Sequence, residues 1–317
     1  MRKFRFGRLA LVACVAALCA CGDGSLPNGL GPGTQAARAS RTAPNGSWML
    51  AEAKNKDLLY VSDNYNGIVD VYDYGKSRRV GAIRGFDQPT GQCVDKKGDV
   101  WVTEYFGYQV FEFAHGNPKP IQVLTTNGNA LGCSVDPLNG NLAIASEDSS
   151  QNAWGDIQVF PKDGGSPKTY YSYPGSAGCP YMQAPGYDDK GNLYFEADWG
   201  SNGWGLCELP AKGSAIVHVA IATSKHFKTL DHPGSVMWDG KYVTFEDYRN
   251  DASQDSIIYQ AESKGSRLTV IASTTLGATC RYANVTQPFV VGMRNTRRNR
   301  GQGAVVVGGN EGCYSFG

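Results

Sequence analysis

The sequence has almost no net charge. Thirty Lys and Arg stand against 29 Asp and Glu in 317 residues, and charged residues make up only 19%. A balance of +1 gives no reason to expect nucleic acid as a partner. Histidine is scarce, and His115, His218, His226 and His232 fall in no HxH or HExxH spacing. A solvated or packed imidazole is the simplest role for each. The elbow pattern GxSxG is missing and no CxxC occurs, so neither a hydrolase serine of that type nor a cysteine-pair zinc site is encoded. Long apolar runs are missing too: Leu9 to Ala20 is too short to cross ~30 Å of hydrocarbon as a helix. What is plentiful is Gly (40), Tyr (17) and Pro (15), with 41% hydrophobic residues. That is enough apolar chain for a sizeable core, and its turn-rich, aromatic-rich balance fits many short strands instead of a helical bundle.

The N-terminus reads as a targeting signal, with Arg2, Lys3, Arg5 and Arg8 ahead of the apolar run. Leu18-Cys19-Ala20-Cys21 resembles the lipobox of bacterial lipoproteins. That resemblance implies cleavage after residue 20 and a fatty-acylated (palmitate-bearing) Cys21 that anchors the protein to a membrane of the bacterial cell envelope. An ordinary signal peptide with a chance cysteine is the competing reading. Gly22 follows the cysteine where enteric inner-membrane lipoproteins have Asp, which favours the outer membrane or cell surface. After cleavage 26 basic residues face 29 acidic ones, a net charge of −3. Residues 21–47 form a tether between lipid and domain, since they hold many Gly and Pro and almost no large apolar side chain.

Residues 48–317 repeat. An apolar run recurs six times, as Leu58–Ser62, Val100–Thr103, Leu142–Ala145, Leu193–Glu196, Tyr242–Phe245 and Ala304–Val307. A second run follows each, a third follows in most copies (Ala215 to Ile221 in the fourth), and a short strand ending in Asp precedes several, as at Asp95, Asp136 and Asp239. Four short strands every ~45 residues is the period of a propeller blade. The runs are continuous because each blade is covered on both faces by its neighbours. The expected fold is all-β, a six-bladed β-propeller with about four antiparallel strands per blade. Pro89-Thr90-Gly91-Gln92-Cys93-Val94-Asp95, continuing to Glu104, resembles the NHL-type repeat, and the domain is similar to bacterial extracytoplasmic propeller lipoproteins of unassigned function. Closure is open at this point: either part of residues 35–46 supplies the outer strand of the last blade, or that blade has three.

Three cysteines belong to the signal and anchor, leaving Cys93, Cys133, Cys179, Cys207, Cys280 and Cys313. An even number in an exported domain implies disulfides. Cys93 and Cys133 hold equivalent inner-strand positions of consecutive blades, while Cys179 with Cys207 and Cys280 with Cys313 each span one end of one blade. The expected pairs are therefore 93–133, 179–207 and 280–313.

Two groups of residues are candidates for chemistry. Asp63, Glu104, Glu147 with Asp148, Glu196 with Asp198, and Glu246 with Asp247 close the second strands, and symmetry would bring them to one rim of the channel. Ca²⁺-dependent lactonases of the gluconolactonase type draw Glu, Asn and Asp from several blades, so Glu104, Glu147, Glu196 and Glu246 are candidate Ca²⁺ ligands. The structural alternative is that each acid accepts hydrogen bonds from its following turn. The long loops of blades three to five carry Trp154, Trp199, Trp204 and Tyr248, either a stacking platform for a ligand or loops packed on one another. Trp48, Trp101 and Trp238 lie in strands and are expected in the core. Arg294, Arg297, Arg298 and Arg300 read as a solvated loop or an anion contact. Streptogramin-inactivating lyases share the repeat type, but no paired-His motif is present. The expected function is a noncatalytic binding or scaffold module, monomeric and membrane-anchored, whose loop face takes a protein or carbohydrate ligand; the alternative is the Ca²⁺-dependent lactonase-like hydrolase or a related lyase.

Overall fold

The computed structural model describes residues 46–76, 78–147, 154–172, 179–198, 203–222, 224–248, 256–276, 289–290 and 307–308. Cys21, Trp199, Cys280, Cys313 and the arginines from Arg294 to Arg300 lie outside the described residues, as does the 35–46 segment considered for closure apart from Gly46. Among the described residues the helical content is a single 3-10 turn, Ala53–Asn55.

The strands form successive sheets. Blade 1 holds β1 (Trp48–Met49), β2 (Leu58–Asp63), β3 (Ile68–Asp73) and β4 (Arg78–Arg84), in the order β1-β4-β3-β2. Blade 2 is β5 (Pro89–Val94), β6 (Val100–Glu104), β7 (Gln109–Phe113) and β8 (Pro120–Thr125) in sequence order. Blade 3 is β9 (Asn129–Val135), β10 (Leu142–Glu147), β11 (Gly155–Phe160) and β12 (Lys168–Ser172). Blade 4 is β13 (Gln183–Tyr187), β14 (Leu193–Asp198), β15 (Trp204–Leu209) and β16 (Val217–His218). Blade 5 runs β17-β21-β20-β19-β18, from β17 (Ala220–Ala222), β18 (His232–Trp238), β19 (Val243–Tyr248), β20 (Ser256–Ser263) and β21 (Arg267–Leu276). A sixth sheet pairs β22 (Phe289–Val290) with β23 (Val307–Gly308). The inner strands β5, β9, β13 and β18 pack side by side in that order, and β22 lies against both β18 and β5. The fold is an all-β propeller, and its sheet count is consistent with six blades.

Continuous burial of the second strands explains their composition. Val100–Glu104 is buried at every position, because apolar clusters fill the spaces between blades on both faces of each sheet. Leu193, Phe195 and Ala197 pack toward blade 3 residues, whereas Tyr194 packs with Val243, Phe245 and Tyr259 of blade 5. Polar groups cross the same seams: the Thr90 hydroxyl donates to the Ala130 carbonyl at 2.7 Å, and the Tyr194 and Ser263 hydroxyls meet at 2.6 Å.

Near the axis side chains have no room. A Cβ on Gly91 would stand 2.6 Å from the Gly132 Cα, and one on Gly132 would stand 2.9 Å from the Ala184 Cα. The glycine of the Pro-x-Gly motif is thus required by the close approach of the next inner strand.

Two expectations change. The run Ala215 to Ile221 is not one outer strand: β16 pairs with β15 of blade 4, and β17 then pairs in parallel with β21 of blade 5. Val219, between them, donates its N–H to the Leu206 carbonyl, and Ala220 donates to that of Ser266. Trp48 is exposed, because β1 adds to the outer edge of blade 1 through Trp48 opposite Ala82. Its ring lies under the Arg79 guanidinium at 5.7 Å. Trp101 is buried as expected, and Trp238 is half-buried.

Candidate functional site

Each blade has two ends. At the turn end the first strand passes to the second through a tight turn; at the loop end the second strand passes to the third. The four candidate glutamates lie toward the loop end, but not on one rung. Val100, Leu142, Leu193 and Val243 open their ladders opposite Phe113, Phe160, Leu209 and Ala261. Counted from these residues Glu104 is fifth, Glu147 sixth, and Glu196 and Glu246 fourth. Successive strand residues face opposite sides, so Glu104 is turned away from the face that the others share. Glu196 and Glu246 share one rung and one face.

Their partners differ as well. Glu104 accepts the Asp87 N–H at 2.6 Å, and burial raises its pKa above the usual carboxylate range. At the same fifth position of blade 5, Asp247 accepts the Asp231 N–H at 2.7 Å. Each donor is an Asp two residues before the proline of its inner strand, in Asp87-Gln88-Pro89 and Asp231-His232-Pro233. These acids therefore hold the segment leading into the blade. Glu147 accepts the Tyr105 hydroxyl across the seam between blades 2 and 3. The turn-capping alternative is met at Asp63, which accepts the N–H of Asn66 at 3.0 Å and its side-chain amide at 2.7 Å.

Glu196 is different. Its carboxyl is fully buried, and neither oxygen has a hydrogen-bond partner. Burial pushes its pKa well above the usual range, and the charges of Glu246 and Asp247 push in the same direction. The Glu246 carboxylate lies against Gly234, where a Cβ would come within 2.5 Å of it. Two adjacent blades thus bring three carboxyls to one buried region.

Sequence reasoning missed two features at the turn end. Asp95, Asp99 and Glu112 bring one oxygen each within 4.8 Å of one another. Burial and the charges of Asp99 and Asp95 raise the Glu112 pKa to about 7. Asp95 is engaged, however, accepting the N–H groups of Lys97 and Asp99 at 2.8 and 2.9 Å. The second feature is a cavity of about 210 Å³ along the axis, between the inner strands β5, β9, β13 and β18. Val94, Val135, Val236, Met237 and Trp238 give it apolar walls, and Gln92, Gln183 and Ser235 supply polar groups. The repeated glycines were its only trace in the sequence.

Of the four loop aromatics, Trp154, Trp204 and Tyr248 are among the described residues. Trp154 stacks on Tyr181 from the next blade, centroids 6.2 Å apart and planes 16° apart. Trp204 is half-buried and pairs with Asp198 in the ladder, and Tyr248 ends β19 opposite Ser256. Two expected disulfides are present, Cys93–Cys133 and Cys179–Cys207, with Cα atoms 5.6 and 6.3 Å apart.

No family model and no curated protein matches the sequence. Among solved structures the chain is similar to Kuenenia stuttgartiensis hydrazine synthase, with a TM-score of 0.50 and 13% identity, covering 84% of this chain and 77% of that one. It is also similar to a functionally unknown protein from Desulfotomaculum acetoxidans, with a TM-score of 0.50 and 11% identity over 82% and 78% of the two chains. The β-propeller domain of Myceliophteria thermophila Cps50 (Swd1) gives a TM-score of 0.47 and 12% identity over 89% and 88%. At such identities the likeness is one of fold: the chain is a β-propeller.

Proposed function

We propose that the protein is an exported, lipid-anchored propeller that binds a small uncharged ligand without transforming it. The lining of the axial cavity carries this reading. Among the described residues around it, none bears a carboxylate, imidazole, amine or guanidinium. Proton transfer and nucleophilic attack need such groups within hydrogen-bond reach. The size of about 210 Å³ suits a single ring or short aliphatic segment. Trp154 gives one face of its ring to Tyr181. Export is supported by the lipobox resemblance at Cys21 and by the two disulfides, which persist in oxidising compartments. A neutral single-ring probe, benzyl alcohol followed by ligand-observed NMR, should bind the wild-type protein at one saturable site. Ser235→Trp, which fills the cavity, should abolish that signal while the protein stays folded; a wild-type protein that gives no signal refutes the reading. Cys21→Ala should leave the protein released or held as precursor, and unchanged membrane fractionation would refute anchorage.

Glu196 favours a second reading, the Ca²⁺-dependent lactonase-like hydrolase. Its two partnerless oxygens beside Glu246 and Asp247 are hard donors of the kind Ca²⁺ takes, although Glu104 and Glu147 are occupied elsewhere. Added Ca²⁺ should then raise the thermal midpoint by several degrees, and Glu196→Gln should remove the rise. A midpoint indifferent to Ca²⁺ and chelator eliminates this reading.

A further inference from the structure

Among the described residues six large hydrophobic side chains stand exposed, and three of them share one end of adjacent blades. Tyr65 is 89% exposed, Phe106 53% and Tyr108 47%, and all three sit in the loop-end turns of blades 1 and 2. Neighbouring structure fixes the placement of Phe106 and Tyr108. Phe106 rests edge-on against Tyr105 at 4.9 Å, and Tyr105 is pinned by its hydrogen bond to Glu147. Tyr108 has φ +51°, a left-handed conformation taken by Gly67 at the matching place in blade 1. A tyrosine there costs backbone strain without gaining burial, which is the pattern of a surface residue kept for contact.

The chain leading to Cys21 leaves the domain at this same end. Ser47 accepts the Arg84 N–H through its hydroxyl, and Arg84 pairs with Ile68, the first residue after the turn that carries Tyr65. Residues 22–45 then separate the domain from Cys21. A Gly-rich segment of that length spans roughly 27 Å, so a lipid at Cys21 would keep this end of the domain close to the bilayer.

We propose that the loop end of blades 1 and 2 lies against the bilayer surface, with Tyr65, Phe106 and Tyr108 seated at the headgroup level. The inference rests on lipid anchorage at Cys21. The two tyrosines, apolar rings with a polar hydroxyl, favour that interface, and Phe106 adds apolar surface beside them. Asp63 and Asp87 outnumber Arg84 at this end, so no anionic lipid is specified. In this pose the turn end faces away from the membrane.

Hydroxyl-radical footprinting of the full-length lipidated protein tests it, on vesicles of phosphatidylethanolamine and phosphatidylglycerol and against Cys21→Ala protein in solution. Oxidation of the three rings should fall about fivefold or more on vesicles, while Leu138, 63% exposed at the turn end, should not change. If the protein floats with vesicles and the rings stay reactive, docking is overturned and anchorage stands. Equal protection of Leu138 overturns it as well, as does protection seen on native membranes but not on pure lipid, which assigns the rings to a protein partner. Failure to float removes anchorage itself.

Discussion

At the scale of single residues, the aspartates at the turn ends do the same work in four blades. Asp95, Asp136, Asp188 and Asp239 each accept backbone N–H groups from the turn that follows them. Asp188 takes those of Lys190 and Asn192 at 2.9 and 2.8 Å, and the Asn192 side-chain amide at 2.8 Å. Replacing it with Ala leaves these donors unanswered and should cost about 2 kcal/mol, read from the urea midpoint. Asp156 acts through its ionisation. It accepts the Asn127 and Gln158 amides, yet burial raises its pKa to about 6. The folded form then holds this proton more tightly than the unfolded chain, whose carboxyl titrates near ~4. Stability contributed by that proton is complete below ~4 and is lost as pH rises toward about 6, by at most about 3 kcal/mol. Asp156→Asn should flatten this decline in unfolding curves taken across that range. The turn aspartates were legible as recurring strand ends, and their donors lie only two to four residues on. The staples at Glu104 and Asp247 were not, since their donors lie 17 and 16 residues away and no local pattern ties them together.

Among the elements, the inner strands have the least tolerance. Gly132 faces the backbone of Ala184, itself at φ +38°, so an added methyl must displace a strand and not a side chain. Gly132→Ala should destabilise by roughly 1–3 kcal/mol, an overpacking cost, and the urea midpoint measures it. The strand runs themselves were readable, because burial on both faces leaves an unbroken apolar signature. Where one sheet ends and the next begins was not. Residues 215–221 look like a single strand, since pairing partners on two blades demand the same apolar, extended chain.

For the whole molecule, the two disulfides act at different levels. Cys93–Cys133 joins the inner strands of blades 2 and 3, whereas Cys179–Cys207 ties the segment leading into blade 4 to its third strand. They close loops of 40 and 28 residues, and the chain-entropy limit for each is about 4 kcal/mol. Reduction should lower the thermal midpoint, and Cys93→Ala/Cys133→Ala should reproduce part of the loss without reductant. Fold class and these pairings could be read from repetition alone. The axial cavity could not, because its walls come from four strands whose tilt decides which side chains reach the axis.

The segment shared by blades 4 and 5 bears on how such a chain can change by descent. A blade that owns all its strands can be duplicated, deleted or exchanged as one genetic unit. Here the border between two units falls inside a continuous run, with Val219 bonded back to Leu206 and Ala220 forward to Ser266. A recombination that kept blade 4 without blade 5 would leave Ala220–Ala222 unpaired, and the converse would bare the edge of β21. These two blades can be inherited only together.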